Sequence, residues 1–271
     1  PLLYSAPNLI GGDYASSLQF RSAVRITDPD GTCTASKIGK YTFLTAAHCI
    51  VNRNTGEILS YYKQKEVVLI ENHSGYKVNA IVVKAIAHPT YIKELKRRVS
   101  NAESTHGIAF EAYDVGIIQI EDNTESVKIG TISDVEIKNE LVYIGGYGVS
   151  ERGRRSSQEP KFKYSIEQNF YSRIFSDELS NIDLYKNIQK FNLISTSTLT
   201  RQYVQDINIS PRVKGAEIAL GDSGGAVYRL VDQAIIGVNS QYIKDGNGEN
   251  IVNLHSRIAP IASWIRSNIL N

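Results

Sequence analysis

The sequence predicts an all-β fold, on three observations. Short apolar runs recur along the chain, separated by Gly, Asn, Asp and Pro, which is the pattern of antiparallel strands joined by tight turns. Convincing helical periodicity is concentrated at the C-terminus. A composition of 42% hydrophobic and 21% charged residues with a net charge of +2 is that of a chain with a packed core, and excludes disorder as its main state.

Taken in order, the predicted strands are 22–26, 41–46, 66–70, 78–86, 115–120, 141–144, 226–230 and 234–238. They fall into two strand-rich halves that meet near 126–140 with no Gly/Ser linker between them. At the C-terminus Ile258, Ile261, Ala262, Ile265 and Ile269 recur at helical spacing, with Pro260 near the first turn. A weaker helix is expected around 177–188. Two stretches read as charged surface loops: 93–111, with Lys93, Lys96, Arg97 and Arg98, and 151–163, with Arg152, Arg154 and Arg155.

The near-neutral charge gives no bulk electrostatic reason to expect a nucleic acid or an anionic membrane as partner. The longest apolar runs, such as Ala80-Ile81-Val82-Val83, are cut by a charge long before bilayer length. A chain that begins at Pro1 without Met is what removal of a secretory leader would leave.

Three motifs carry the chemistry. Thr45-Ala46-Ala47-His48-Cys49 closes an apolar strand, and Asp114-Val115-Gly116-Ile117-Ile118 opens another. Gly221-Asp222-Ser223-Gly224-Gly225 is a serine in a glycine-rich turn. Each alone has a plainer reading: a core histidine, a turn aspartate, a tight turn. Together, in the order His, Asp, Ser, they supply the parts of acyl transfer. A serine hydroxyl needs an imidazole to take its proton, and a carboxylate must hold that imidazole in the right tautomer. Glycines let the backbone turn two N–H groups toward the developing oxyanion. Ser223 is thus the candidate nucleophile, His48 the base and Asp114 its orienter. The N–H groups of Gly221 and Ser223 are the candidate oxyanion donors.

These motifs resemble those of the trypsin/chymotrypsin family of serine proteases. Ser263-Trp264-Ile265 is similar to the opening of that family's C-terminal helix, so the resemblance runs from about Leu9 to the chain's end. It implies two six-stranded antiparallel β-barrels with a C-terminal α-helix: an N-terminal barrel over 9–130 bearing His48 and Asp114, and a C-terminal barrel over 131–271 bearing Ser223. It also implies a Cys33–Cys49 disulfide, contributing about 3 kcal/mol by loop entropy. The activity implied is that of a secreted serine endopeptidase, extracellular or periplasmic, acting on protein or peptide substrates without a cofactor. One disulfide where animal members carry several points to a distant, bacterial-type member.

Leu9-Ile10-Gly11-Gly12 is similar to the family's activation sequence. Residues 1–8 then form a propeptide, cleaved between Asn8 and Leu9 by a separate protease, and the freed α-amino group pairs with Asp222. The plainer alternative is that Gly11-Gly12 is only a turn. For substrate binding the resemblance places Glu217 at the pocket base, Ser240, which also falls next to Asp114, and Tyr242 on one wall, and Asn253 and His255 on the far wall. Glu217 either selects Arg or Lys or is paired internally with His255. A narrow, toxin-like specificity and a catalytically silent binding module remain alternatives. No metal site is expected: the family's calcium loop falls near Glu71, where Lys77 stands in place of an acid. Asn72-His73-Ser74 and Asn208-Ile209-Ser210 are glycosylation sequons.

Overall fold

The computed structural model describes residues 12–63, 67–121, 124–137, 140–148, 161–170, 188–196, 218–244 and 250–270. Six strands of the N-terminal half close a barrel: β2 (Ala23–Asp28), β3 (Gly31–Gly39), β4 (Thr42–Thr45), β5 (Val67–Glu71), β6 (Lys77–Ala87) and β7 (Gly116–Ile120), in the order β2-β3-β4-β7-β6-β5. The β2–β3 turn shows how sequence sets register. Asp28 Oδ1 accepts from the N–H groups of Asp30 and Gly31, both at 2.9 Å, so Asp-Pro-Asp-Gly folds as a side-chain-supported turn.

The second sheet contains β1 (Asp13–Tyr14), β8 (Leu141–Gly146), β9 (Lys163–Phe170), β10 (Asn192–Thr196), β11 (Ala226–Arg229), β12 (Ile235–Lys244) and β13 (Asn250–Arg257). Its order is β1-β9-β10-β13-β12-β11-β8, and a further β8–β9 pairing returns the order onto itself. Among the described residues, all the ladders in both sheets are antiparallel, as the sequence predicts. One apolar cluster spans the two sheets, with Val24, Ala35 and Ile117 from the first and Tyr228, Ile235 and Val238 from the second. Phe20 sits at the seam, its ring 5.0 to 5.4 Å from those of Tyr143, Phe162, Tyr164 and Tyr228.

The structure corrects several local expectations: β1, β3, β9, β10 and β13 are strands beyond those predicted, and two helices differ. β3 was not predicted, because Gly31–Gly39 reads as polar; its Thr34, Ser36 and Lys37 are nonetheless buried, and Lys37 Nζ donates to Thr124 O at 2.7 Å. The charged stretch 93–111 is helix in its first part: α1 (Pro89–Ser100) has Pro89 in its first turn, His88 as N-cap and Tyr91 and Leu95 as its buried face. Two apolar contacts one turn apart suffice when the opposite face is charged. The C-terminal helix α2 (Ala262–Ser267) is shorter than its periodicity suggests, because Ala259–Ile261 forms a 3-10 turn before it. Most of the expected helix at 177–188, and the loop at 151–160, lie outside the described residues. Among the described residues, no helix is long and apolar enough to cross a membrane.

The α1 N-cap is a pH-sensitive joint. His88 Nδ1 accepts from the Thr90 N–H at 3.3 Å, and the ring meets Trp264 of α2 edge-on with centroids 4.7 Å apart. Burial pushes its pKa down from 6.5 to about 4. The unfolded chain therefore takes up this proton first, and stability falls as pH drops from about 6.5 toward 4. His88→Asn keeps an N-cap acceptor and removes the titration. Denaturation curves across that range should show a shallower pH slope, by at most about 1.4 kcal/mol per pH unit, the weight of one proton. An unchanged slope would contradict this assignment.

Candidate active site

The histidine motif runs off β4 into a 3-10 turn, Ala47–Cys49. Asp114, immediately before β7, meets it twice: Oδ1 accepts from the His48 backbone N–H at 2.9 Å, and Oδ2 lies 2.6 Å from His48 Nδ1. The second barrel braces the same carboxylate, with Ser240 Oγ donating to Oδ2 at 2.6 Å and the Asp114 N–H bound to Ser256 Oγ at 2.9 Å. Burial alone would raise the Asp114 carboxyl. The His48 imidazole and the hydrogen bonds from His48 and Ser240 outweigh it and hold the group below its ordinary value. An ionised Asp114 can only accept, so neutral His48 carries its proton on Nδ1 and leaves Nε2 with the lone pair. The sequence expectation placed Ser240 beside Asp114. It missed Ser256, whose role depends on the register of β13 and carries no local signal.

Ser223 is held from the first barrel by Thr34 of β3. The Thr34 N–H donates to Ser223 O at 2.8 Å, and Thr34 Oγ1 donates to Gly221 O at 2.8 Å. Gly224 has a φ of +83°, and a Cβ there would stand 2.2 Å from both Thr34 O and Thr45 Oγ1, so the turn closes on β3 only with glycine in place. Gly221 is buried, and among the described residues neither its N–H nor that of Ser223 has an acceptor. Both residues line the cleft, which leaves the two donors available to an oxyanion held there. His48, Asp114, Gly221, Ser223, Ser240 and Tyr242 share one cleft of about 740 Å³, within the range of binding pockets. No hydrogen bond joins His48 Nε2 to Ser223 Oγ, a contact that often tightens only with substrate. Cys33 and Cys49 are disulfide-bonded, tying β3 to the histidine turn.

Asp222 is fully buried. Its carboxylate accepts from the Gly148 N–H at 2.8 Å and the Ala219 N–H at 3.0 Å. Gly148 admits it closely, since a Cβ there would lie 2.7 Å from the carboxylate. Asn8, Leu9 and Glu217 lie outside the described residues. Tyr242 is half-buried at the cleft. Asn253 and His255 are instead closed in behind it, at 2% and 0% exposure. His255 Nδ1 lies 2.8 Å from Asn239 Oδ1, and Nε2 lies 2.8 Å from Ser195 Oγ. Both ring nitrogens are thus occupied by neighbours other than Glu217, and burial pushes the imidazole down to about 3. Asn253 Oδ1 accepts from the Ile218 N–H at 3.0 Å, while its Nδ2 donates to Glu167 at 3.2 Å. Glu167 and Ser195 were not anticipated, since lone polar residues in strands read as solvent-facing.

The Glu71 carboxylate is engaged by Arg25 and, at 3.2 Å, by Lys77. Among the described residues, no group of three or more His, Cys, Asp or Glu is arranged to hold a metal. Asn72 is buried and its Oδ1 accepts from Ser74 and Tyr76, so this sequon serves as a turn; Asn208 lies outside the described residues.

Two antiparallel β-barrels with a histidine, a buried aspartate and a serine facing one cleft define the class of trypsin-like serine proteases. The chain matches the Trypsin family model over residues 9–265 and belongs to that family. Its fold is similar to that of neuropsin, a serine protease expressed in the limbic system of mouse brain, with a TM-score of 0.62 and 17% identity over 94% of this chain and 97% of that one.

Proposed function

We propose that the chain is a secreted serine endopeptidase that cleaves peptide bonds through an acyl-enzyme on Ser223. Ser223 Oγ attacks the scissile carbonyl carbon as its proton passes to His48 Nε2. The carbonyl oxygen takes the negative charge opposite the N–H groups of Gly221 and Ser223. His48 then gives the proton to the departing amine, the C–N bond breaks, and an ester remains on Ser223. Water attacks that ester by the same route, leaving the acid and free serine. Asp114 stays ionised and steadies the imidazolium. The observation that carries this reading is the pair of N–H groups without acceptors beside Ser223, in the cleft where Asp114 fixes the His48 tautomer.

The chain is further read as a proenzyme, cut between Asn8 and Leu9, whose new α-amino group joins Asp222. The buried carboxylate favours a cationic partner. Cleavage after Arg or Lys is the preferred specificity, on the strength of Glu217. A narrower, target-restricted specificity is the second reading, favoured by Tyr242 at the cleft. The test compares the chain from Pro1 with a form beginning at Leu9, on denatured protein, with the products sequenced. The Leu9 form should cleave after Arg or Lys and the Pro1 form far more slowly. Equal rates would sink the activation step. Cuts after other residues would sink the basic preference, and no cleavage by either form would leave the target-restricted reading, with the absence of a fluorophosphonate adduct on Ser223 counting against the peptidase itself.

A further inference from the structure

Asn239 of β12 lies directly opposite His255 of β13 in their shared ladder, and both are fully buried, at 0% exposure. A polar pair inside two core strands costs more to bury than apolar residues of the same size unless its bonds are made. Here the bonds lead to the serine turn. The Asn239 N–H donates to Gly225 O at 2.7 Å, and Asn239 O accepts from the Gly224 N–H at 2.8 Å. Its side-chain Nδ2 donates to Gly145 O at 3.0 Å and to Asp222 O at 3.3 Å. The fit is close, since a Cβ on Gly225 would stand 2.9 Å from Nδ2.

The bond to Asp222 O bears on the chemistry. The Asp222 C=O and the Ser223 N–H belong to one planar trans peptide, in which they point in opposite directions. Fixing the carbonyl therefore fixes the N–H. The Gly225 N–H donates to the same carbonyl at 2.9 Å, so two donors hold the plane. The orientation of the amide is fixed in turn. Nδ2 faces two carbonyls, which only accept, so Oδ1 is the atom 2.8 Å from His255 Nδ1, and that ring nitrogen carries a hydrogen. Ser195 Oγ, 2.8 Å from Nε2, holds the other side of the ring. Thr34 grips the serine turn from the first barrel, and Asn239 is its counterpart in the second.

We propose that Asn239 and His255 are positioning residues for the oxyanion hole: Asn239 holds the Asp222–Ser223 peptide plane so that the Ser223 N–H points into the cleft, and His255 holds the Asn239 amide in the orientation this requires. The inference rests on the peptidase reading above. Neither side chain touches the reacting atoms, so both act on the rate of the chemical step and not on binding.

A fluorophosphonate tests this in whichever form of the chain, from Pro1 or from Leu9, it modifies faster. Ser223 Oγ bonds to phosphorus, fluoride leaves, and the serine proton passes to His48. Charge builds on the phosphoryl oxygen, so the rate reads the oxyanion hole whatever the preferred substrate. Asn239→Leu, of similar size, should lower the limiting rate about tenfold. That is short of the roughly 10²–10³-fold for a donor removed outright, because the Gly225 N–H still holds the carbonyl. The probe concentration giving half the limiting rate should not move. Asn239→Asp keeps Oδ1 for His255 but sets an acceptor against the carbonyls of 145 and 222, and should lose at least as much. His255→Leu should act in the same direction. His255→Asn, whose amide nitrogen takes the place of Nδ1, should recover most of the rate. Each rate is taken per site modified at completion, so a variant that only folds poorly shows fewer sites at an unchanged rate. Should Asn239→Leu not fold, Asn239→Asp and the His255 pair decide by the same criteria. Wild-type rates per site in the Asn239 variants, a change confined to the half-limiting concentration, or His255→Asn as slow as His255→Leu overturns the proposal. A wild-type chain that gains no adduct on Ser223 would instead overturn the peptidase reading.

Discussion

Ser223→Ala should reduce peptide hydrolysis by a factor of about 10⁴ to 10⁶ while leaving the fold intact. The proposed oxyanion donors are backbone groups, so they survive the substitution, and the residual rate would come from them and from binding. Stability should hardly change, because among the described residues the hydrogen bonds of the serine run through its backbone: Ser223 O accepts from the Thr34 N–H. The loss should appear in kcat, with KM little altered. A variant that kept activity within about tenfold of wild type would place the nucleophile elsewhere.

Asp114→Asn should cost about 10⁴ in kcat at neutral pH, and the hydrogen bonds give the reason. The His48 backbone N–H donates to Oδ1 at 2.9 Å, which requires an oxygen at that position. The amide nitrogen is then forced into the place of Oδ2, facing His48 Nδ1. An NH₂ group can only donate, so Nδ1 becomes the acceptor and Nε2 carries the proton. A protonated Nε2 cannot accept from Ser223. Ser240, which donates to the same oxygen in the native chain, would face a second donor and have to turn. Steady-state kinetics at pH 7 checks the magnitude; a loss below about tenfold would mean that Asp114 does not set the tautomer.

How much of this was legible in the sequence depends on how local each signal is. His48, Asp114 and Ser223 stand in short motifs whose neighbours are dictated by the turn or strand they occupy, whereas the Cys33–Cys49 bridge was implied by the family resemblance and is present in the structure. Strands such as β4 and β7 are continuous apolar runs because they lie inside a closed barrel. β3 escaped because its buried positions are polar: Thr34 binds the serine turn and Lys37 reaches a carbonyl. The helix α1 escaped because a face of two apolar residues was hidden among charges. The charges themselves turned out to be organised, with Arg98 donating to the Ser104 and His106 carbonyls rather than pointing into solvent. The wall assigned to Asn253 and His255 also depended on partners far away in sequence. Their polar atoms face Glu167, Ser195 and Asn239 across neighbouring strands, and such pairings follow from register, which no motif encodes.

The central claim is that Ser223 is an activated nucleophile, and mass mapping after a fluorophosphonate probe tests it most directly. The chain beginning at Leu9 should gain a single phosphonyl adduct, on the peptide that contains Ser223, and Ser223→Ala in that form should gain none. No adduct on the Leu9 form, or an adduct carried by a different serine, would contradict the account.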